Sequence, residues 1–250
     1  MGRTIITTCG TSLLSSGCWT LPGIGSLVGL NDDDRTVQEG INKGVIKNHM
    51  NDDSDGQTLA RAFDREAWVN LGRLLDLPAE LASLRVYQEA LARQRPSVTL
   101  GGEDKIFLLH SDNPEGEYCA KVLKIVLRGL FTGVEISCDP IRNLDPVDFV
   151  FFGEALSKIW RKYCETVNRE NNNRNTLIFN LTGGYKAVGM VLTALCVANP
   201  AIPVTIIYLH ETAPPESLFV MNFQGSTISD RLLTGYCNEQ CRSGPAMASI

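Results

Sequence analysis

Short apolar runs alternate with longer stretches of helical periodicity along most of the chain, and this alternation sets the first expectation of its fold. Arg3-Thr4-Ile5-Ile6-Thr7-Thr8 is β-branched and reads as a strand running into a small polar turn, Cys9-Gly10-Thr11-Ser12. From Thr58 to Arg93 apolar residues recur at helical spacing, first Leu59, Phe63, Ala67, Leu71 and Leu74, then Leu81, Leu84, Tyr87 and Leu91. Two helices broken near Pro78 are predicted there. Lys105 to Leu109 is a second apolar strand, followed by the polar His110-Ser111-Asp112-Asn113-Pro114-Glu115-Gly116 and a helix from Tyr118 to Leu130. The alternation continues with strand Val134 to Ser137, helix Asp145 to Val167, strand Thr176 to Phe179, helix Ala187 to Val197 and strand Val204 to Leu209. A last extended segment, Leu218 to Phe223, is expected to add an antiparallel edge.

Strands that alternate with helices predict an α/β fold: a Rossmann-like, mostly parallel sheet with helices on both faces and an antiparallel edge hairpin. Ligands of such sheets bind beyond the carboxyl ends of the strands. Three polar turns follow predicted strands here, Gly10-Thr11-Ser12, Ser111-Asp112 and Thr182-Gly183-Gly184-Tyr185-Lys186, and all are expected at one edge. Residues 1–232 read as one domain with an irregular Gly-, Asn- and Asp-rich insertion at about 15–56, and residues 233–250 as a loose tail.

The last turn carries the most chemistry. Two consecutive glycines let a backbone approach a ligand closely, a helix start leaves amide N–H groups unpaired, and Lys186 adds a mobile positive charge. The spacing is neither that of a P-loop nor that of the Gly-x-Gly-x-x-Gly dinucleotide fingerprint. By itself the motif leaves a phosphate site and an ordinary helix-start turn with a solvated lysine equally open. A nicotinamide-dependent dehydrogenase is disfavoured, since Cys9-Gly10-Thr11-Ser12 after the first strand lacks the glycine fingerprint.

Composition narrows the ligand. A formal charge of −5 and a pI of about 5.3 argue against a broad basic surface for long nucleic acid, and leave room for a local pocket for a small anion. Eight cysteines with no charged and apolar leader before them read as reduced thiols in a cytoplasmic protein. Cys237 and Cys241 lack Cys or His partners at ligand spacing, so no zinc site is expected there, and no cofactor is expected for the chain. No apolar stretch is long enough to predict a membrane span.

Taken together, the three turns resemble those of the CRISPR-associated Rossmann fold (CARF) family. Thr8-Cys9-Gly10-Thr11-Ser12-Leu13-Leu14 is similar to its first motif, and Ser111-Asp112-Asn113-Pro114-Glu115-Gly116 to its second, with Asn113 in place of the usual threonine. Asn180-Leu181-Thr182-Gly183-Gly184-Tyr185-Lys186 is similar throughout to the third. The resemblance runs from Arg3 to about Phe223. It implies a homodimer whose paired turns form one two-fold pocket for a cyclic oligoadenylate, the second messenger of type III CRISPR defence.

Some members of that family only sense the ring and control an effector; others, the ring nucleases, cut it and end the response. Too few residues follow the last predicted strand for a helical ribonuclease domain, so a stand-alone, metal-independent ring nuclease is the leading expectation. Its likeness implies that the ribose 2′-hydroxyl attacks its own 3′-phosphate, leaving linear di-adenylate with a 2′,3′-cyclic phosphate. Cyclic tetra-adenylate is the substrate expected from the resemblance. Lys186 would stabilise charge on the phosphoryl oxygens, and Ser12 would contact either the phosphate or the attacking hydroxyl, or simply cap a helix. Gly10, Thr11, Thr182, Gly183 and Gly184 are the further expected ring contacts. Ser111 and Asp112 either bind adenine or ribose or cap the helix that starts at Pro114. Glu115 suits the helix dipole better than a general base; His110 and His210, at predicted strand ends, could reach the pocket, although lone histidines near a sheet edge are more often structural. A non-catalytic sensor of the same ring, acting on a partner effector or on transcription, is the alternative.

Overall fold

A computed structural model describes residues 2–15, 77–94, 99–142, 144, 149–170, 176–184, 186–198, 203–210, 218–224 and 227–229. The expected insertion beyond Ser15, the expected helix before Pro78, Tyr185, Cys237, Cys241 and the tail from 233 lie outside the described residues.

Seven strands form one sheet: β1 (Arg3–Thr8), β2 (Lys105–Ser111), β3 (Glu135–Ile141), β4 (Thr176–Asn180), β5 (Val204–Tyr208), β6 (Phe219–Gln224) and β7 (Thr227–Ser229). Their spatial order is β3-β2-β1-β4-β5-β6-β7. The first five are parallel, whereas β6 runs antiparallel to β5 and β7 to β6. The α/β sheet with an antiparallel edge is therefore as expected, with β7 as an addition.

Between the strands lie α1 (Ser12–Ser15), α2 (Ala79–Gln94), α3 (Pro114–Leu130), α4 (Phe149–Glu170) and α5 (Lys186–Ala198). Because side chains of a strand alternate between its faces, β1 sends Ile5 to one core and Ile6 to the other. Ile5 joins Ile106, Ile178, Leu81, Leu84, Leu123 and Leu127, on the side covered by α2 and α3. Ile6 joins Leu177, Phe179, Trp160, Tyr163 and Leu192, on the side covered by α4 and α5. Burial on both faces explains why the central strands read as nearly continuous apolar runs.

Two boundaries move for identifiable reasons. β3 continues past Ser137 through Asp139 and Pro140 to Ile141, which an edge strand tolerates because one side of its backbone has no ladder to feed. α3 starts at Pro114 rather than Tyr118: proline occupies the first helical position, where its missing N–H costs nothing, and Asn113 caps it.

The amino-terminal edge of the sheet is held by an ion pair. Asp104, 2% exposed, accepts from Arg3 Nε at 3.0 Å and Nη2 at 2.7 Å, and also from the amides of Arg3 at 2.7 Å and Gly101 at 2.9 Å. Arg3 Nη2 donates in addition to Thr99 O at 2.7 Å. This bidentate pair clamps the start of β1 to the turn before β2.

Candidate functional site

β2, β1 and β4 are parallel neighbours, so the turns that follow them leave the sheet at the same, carboxyl edge. Two of these turns form a single unit. A Cβ placed on Gly10 would lie 2.8 Å from Gly184 N and 2.9 Å from Gly184 Cα, so the backbones of the β1 and β4 turns touch. Gly184 has φ +79°, a left-handed conformation that suits glycine, and a Cβ there would press on Thr8 Cβ at 3.0 Å. Thr8 Oγ1 donates to the carbonyl of Gly183 at 2.5 Å. The paired glycines thus serve first to let two turns interlock.

Beneath the interlocked turns lies an acid that sequence reasoning passed over. Glu80, in the first turn of α2, is 0% exposed. Its Oε1 accepts the Gly10 amide at 2.8 Å, and its Oε2 accepts the Ser12 hydroxyl at 2.5 Å. A Cβ on Gly183 would fall within the Glu80 carboxyl, so that glycine is needed to seat the acid. Burial raises the Glu80 pKa above its usual 4.5, and the hydrogen bonds from Ser12 and Gly10 oppose this in part. Burial also pushes the neighbouring Cys9 thiol up, with the Glu80 charge adding to the effect.

Asn180 joins the same unit from β4. Its side chain is fully buried; Oδ1 accepts from Ser83 Oγ at 2.9 Å and from the Thr182 amide at 3.4 Å, and Nδ2 donates to the Glu80 carbonyl at 3.4 Å. Thr182 Oγ1 accepts the Leu209 amide at 3.0 Å, which ties the turn to the exit of β5. A signal for Glu80 was present in the sequence: it stands four, seven and eleven residues before Leu84, Tyr87 and Leu91, on the apolar stripe of its helix.

The expected site residues sort by exposure. Thr11 and Lys186 are exposed and Ser12 half-buried at the carboxyl edge, whereas Gly183 is buried and Gly10 and Gly184 half-buried. The Gly10 amide serves Glu80. Lys186 is the first residue of α5 and makes no ion pair with a described residue. The β2 turn stands apart. Asp112 is exposed, and Ser111 Oγ donates to Asn113 Oδ1 at 2.9 Å, the atom that also accepts the Gly116 amide at 2.8 Å. The helix cap is therefore Asn113, not Ser111 or Asp112, because its side chain reaches the amide three residues on. A Cβ on Gly116 would lie 2.5 Å from Ser111 Oγ, which accounts for the glycine there. His110 is buried with Nδ1 2.8 Å from Ser111 O, and His210 is exposed.

Among the described residues no group of three or more His, Cys, Asp or Glu is placed to hold a metal ion, and no helix is long and apolar enough to cross a membrane. The architecture is that of a Rossmann-like α/β protein whose β1 and β4 turns form one polar unit at the carboxyl edge. Residues 76–215, more than half of the chain, match the family model described as CRISPR-associated protein (Cas_APE2256), and the chain belongs to that CRISPR-associated family. The matched segment takes in Glu80 and the turns after β2 and β4 and begins after the turn of β1. No curated protein matches the chain.

Proposed function

We propose that this protein is a CARF-type ring nuclease that binds a cyclic oligoadenylate, with cyclic tetra-adenylate as the preferred size, and cleaves it without a metal. The observation that carries the reading is the interlock of the β1 and β4 turns beside two exposed or half-exposed polar groups, Ser12 and Lys186, at the ligand edge of the sheet. A ligand carrying phosphates and hydroxyls matches that chemistry, since Lys186 at the start of α5 adds its ammonium to the amide field of a helix N-terminus. Membership of a CRISPR-associated family supports a nucleotide messenger of that defence as the ligand.

In this reading the ribose 2′-hydroxyl attacks the adjacent phosphorus in line, the 5′-oxygen leaves, and a 2′,3′-cyclic phosphate remains. The protein contributes positioning through Thr11 and Ser12 and charge stabilisation through Lys186. The adenines and riboses of the ring would meet Ser111 and Asp112 on the neighbouring strand end.

Two copies would share one ring. Helices that follow parallel strands begin at the carboxyl edge, and near their starts α4 and α5 expose Val150 (70%), Phe151 (49%) and Met190 (74%). Val197 further along α5 is 52% exposed. An apolar face beginning beside Lys186 supports an isologous dimer in which both lysines approach a common two-fold pocket. The buried thiols of Cys9, Cys164 and Cys196 form no disulfide and suit a reducing, cytoplasmic setting.

The test is incubation of the protein with cyclic tetra-adenylate and cyclic hexa-adenylate in EDTA, with products resolved by chromatography and mass. Linear di-adenylate with a cyclic phosphate, lost in Lys186→Ala, is the expected result. Ring that stays bound but intact would make the protein a sensor, and ring that neither binds nor breaks would remove the reading altogether.

A further inference from the structure

The geometry points to an adenine subsite at the carboxyl end of β5, where one base of the ring stacks on Tyr208 with Phe219 beside it. The inference rests on the cyclic-oligoadenylate reading and deepens it by giving a second base of the ring a place on each protomer.

One face of the β5 and β6 pair carries the argument. Val204 stands opposite Phe223, Ile206 opposite Met221 and Tyr208 opposite Phe219, and strand alternation puts this row on the side of the sheet covered by α4 and α5. Burial falls along the row toward the carboxyl end of β5. Val204, Phe223 and Ile206 are buried and Met221 half-buried, whereas Tyr208 is half-buried and Phe219 is 37% exposed. Core rings such as Phe152, Tyr163 and Phe179 are buried. The core thus takes up the amino-terminal part of the row and leaves the two aromatic rings at the ligand edge with open surface.

Tyr208 is also fixed against the proposed phosphate site. The Ile207 carbonyl accepts the Leu181 amide at 3.1 Å, and the Leu209 amide donates to Thr182 Oγ1 at 3.0 Å. The backbone on both sides of Tyr208 is therefore tied to the β4 turn, which leads to Lys186. The His210 ring meets that of Tyr208 edge-on, with centroids 6.5 Å apart and planes at 73°, which steadies the tyrosine. A flat ring held beside a phosphate-binding turn suits a nucleobase, whose π face stacks on an aromatic side chain.

The strand order leaves room for two bases. The interlocked β1 and β4 turns lie at the centre, with the β2 turn on one side and the end of β5 on the other. β2 and β5 are three strand spacings apart, about 14 Å. A ring of four nucleotides on a two-fold axis presents two distinct nucleotides to each protomer. The phosphate between them meets Lys186, one base reaches Ser111 and Asp112, and the other reaches Tyr208. A second copy of the chain is the competing occupant, because Phe219 lies on the same side of the sheet as α4 and α5. The base is favoured because the two rings stand at the strand ends beside the β4 turn.

Tyr208→Leu tests this, since it keeps an apolar side chain at the strand end and removes the π face, whereas Tyr208→Phe and Tyr208→Trp keep the face. Binding of cyclic tetra-adenylate in EDTA, single-turnover cleavage at saturating protein and the mass of the dimer by light scattering are measured on each folded variant. Tyr208→Leu should bind about tenfold more weakly or worse. Its salt dependence of binding should match the wild type, because the phosphate contact through Lys186 remains. Its saturated cleavage rate should stay within about threefold, as expected for a group that binds substrate and transition state alike. Tyr208→Phe and Tyr208→Trp should bind as the wild type does, and Phe219→Leu, at a more exposed position, should weaken binding in the same direction as Tyr208→Leu. Wild-type affinity in either leucine variant overturns the inference. So does a Tyr208→Phe as weak as Tyr208→Leu, which would assign the hydroxyl and not the ring, and so does weak binding that follows from dissociation of the dimer. Each of these outcomes leaves the ring-nuclease reading standing. A wild-type protein that neither binds nor cleaves the ring removes both.

Discussion

At the amino end of β1 the buried carboxylate of Asp104 faces a guanidinium in bidentate geometry and two amides. At the carboxyl end the buried carboxylate of Glu80 faces an amide and a hydroxyl and no described cation. The two acids are comparably buried, at 2% and 0% exposure, so the difference lies in their partners. Asp104 has the arrangement of a clamp, in which desolvation is offset by a full charge. Glu80 has no described cation to offset its burial, and the hydrogen bonds from Ser12 and the Gly10 amide oppose the rise in its pKa only in part. The contrast separates the edge that holds the sheet together from the edge where the chemistry is proposed.

Breaking the clamp is expected to have the largest effect on stability. Arg3→Ala leaves Asp104 buried beside amides alone and should cost about 3–5 kcal/mol in denaturant unfolding, with no selective effect on ring binding in the protein that remains folded. Gly183→Ala attacks the other edge through sterics. Its methyl group would have to displace the Glu80 carboxyl, for a cost of about 1–3 kcal/mol and a loss of cleavage greater than the loss of stability explains.

The smallest effect has the most informative sign. A carboxyl whose pKa is raised on folding binds its proton more tightly in the folded chain, so stability falls as pH rises from the usual 4.5 through the folded value. Glu80→Gln removes that fall and should gain on the order of 1 kcal/mol at neutral pH, with little change in acid. Thermal unfolding across this range checks it, and a neutral variant less stable than wild type at neutral pH would place Glu80 with Asp104 as a clamp.

Much of the sheet was legible in the sequence, because strands buried on both faces need continuous β-branched and aliphatic runs: Ile5-Ile6, Ile106 to Leu109 and Leu177 to Phe179 are such runs. The end of β3 was less visible, since Asp139 and Pro140 are polar or helix-breaking and acceptable only because the strand is an edge. At the candidate edge, the glycine pair and Lys186 stand out as candidates from turn chemistry, which is local, and Ser12 from the resemblance. Glu80 does not, for two physical reasons. An acid just after a proline at a helix start reads as a partner for the helix dipole. Its contacts with Gly10 and Ser12 span about seventy residues of chain and arise only when α2 docks on the sheet. Gly183 and Gly184 carried a double meaning of the same kind, since the interlock with Gly10, Thr8 and Glu80 is a tertiary property that no motif spacing contains.

The most direct measurement is amide hydrogen exchange with and without saturating cyclic tetra-adenylate, because it reads both ends of β1 in one experiment. Protection in the turns at residues 8–14, 111–116 and 180–186, with none at 99–104, is the expected result. Protection confined to the Arg3–Asp104 edge, or at neither edge, would contradict a ligand site at the carboxyl end of the sheet.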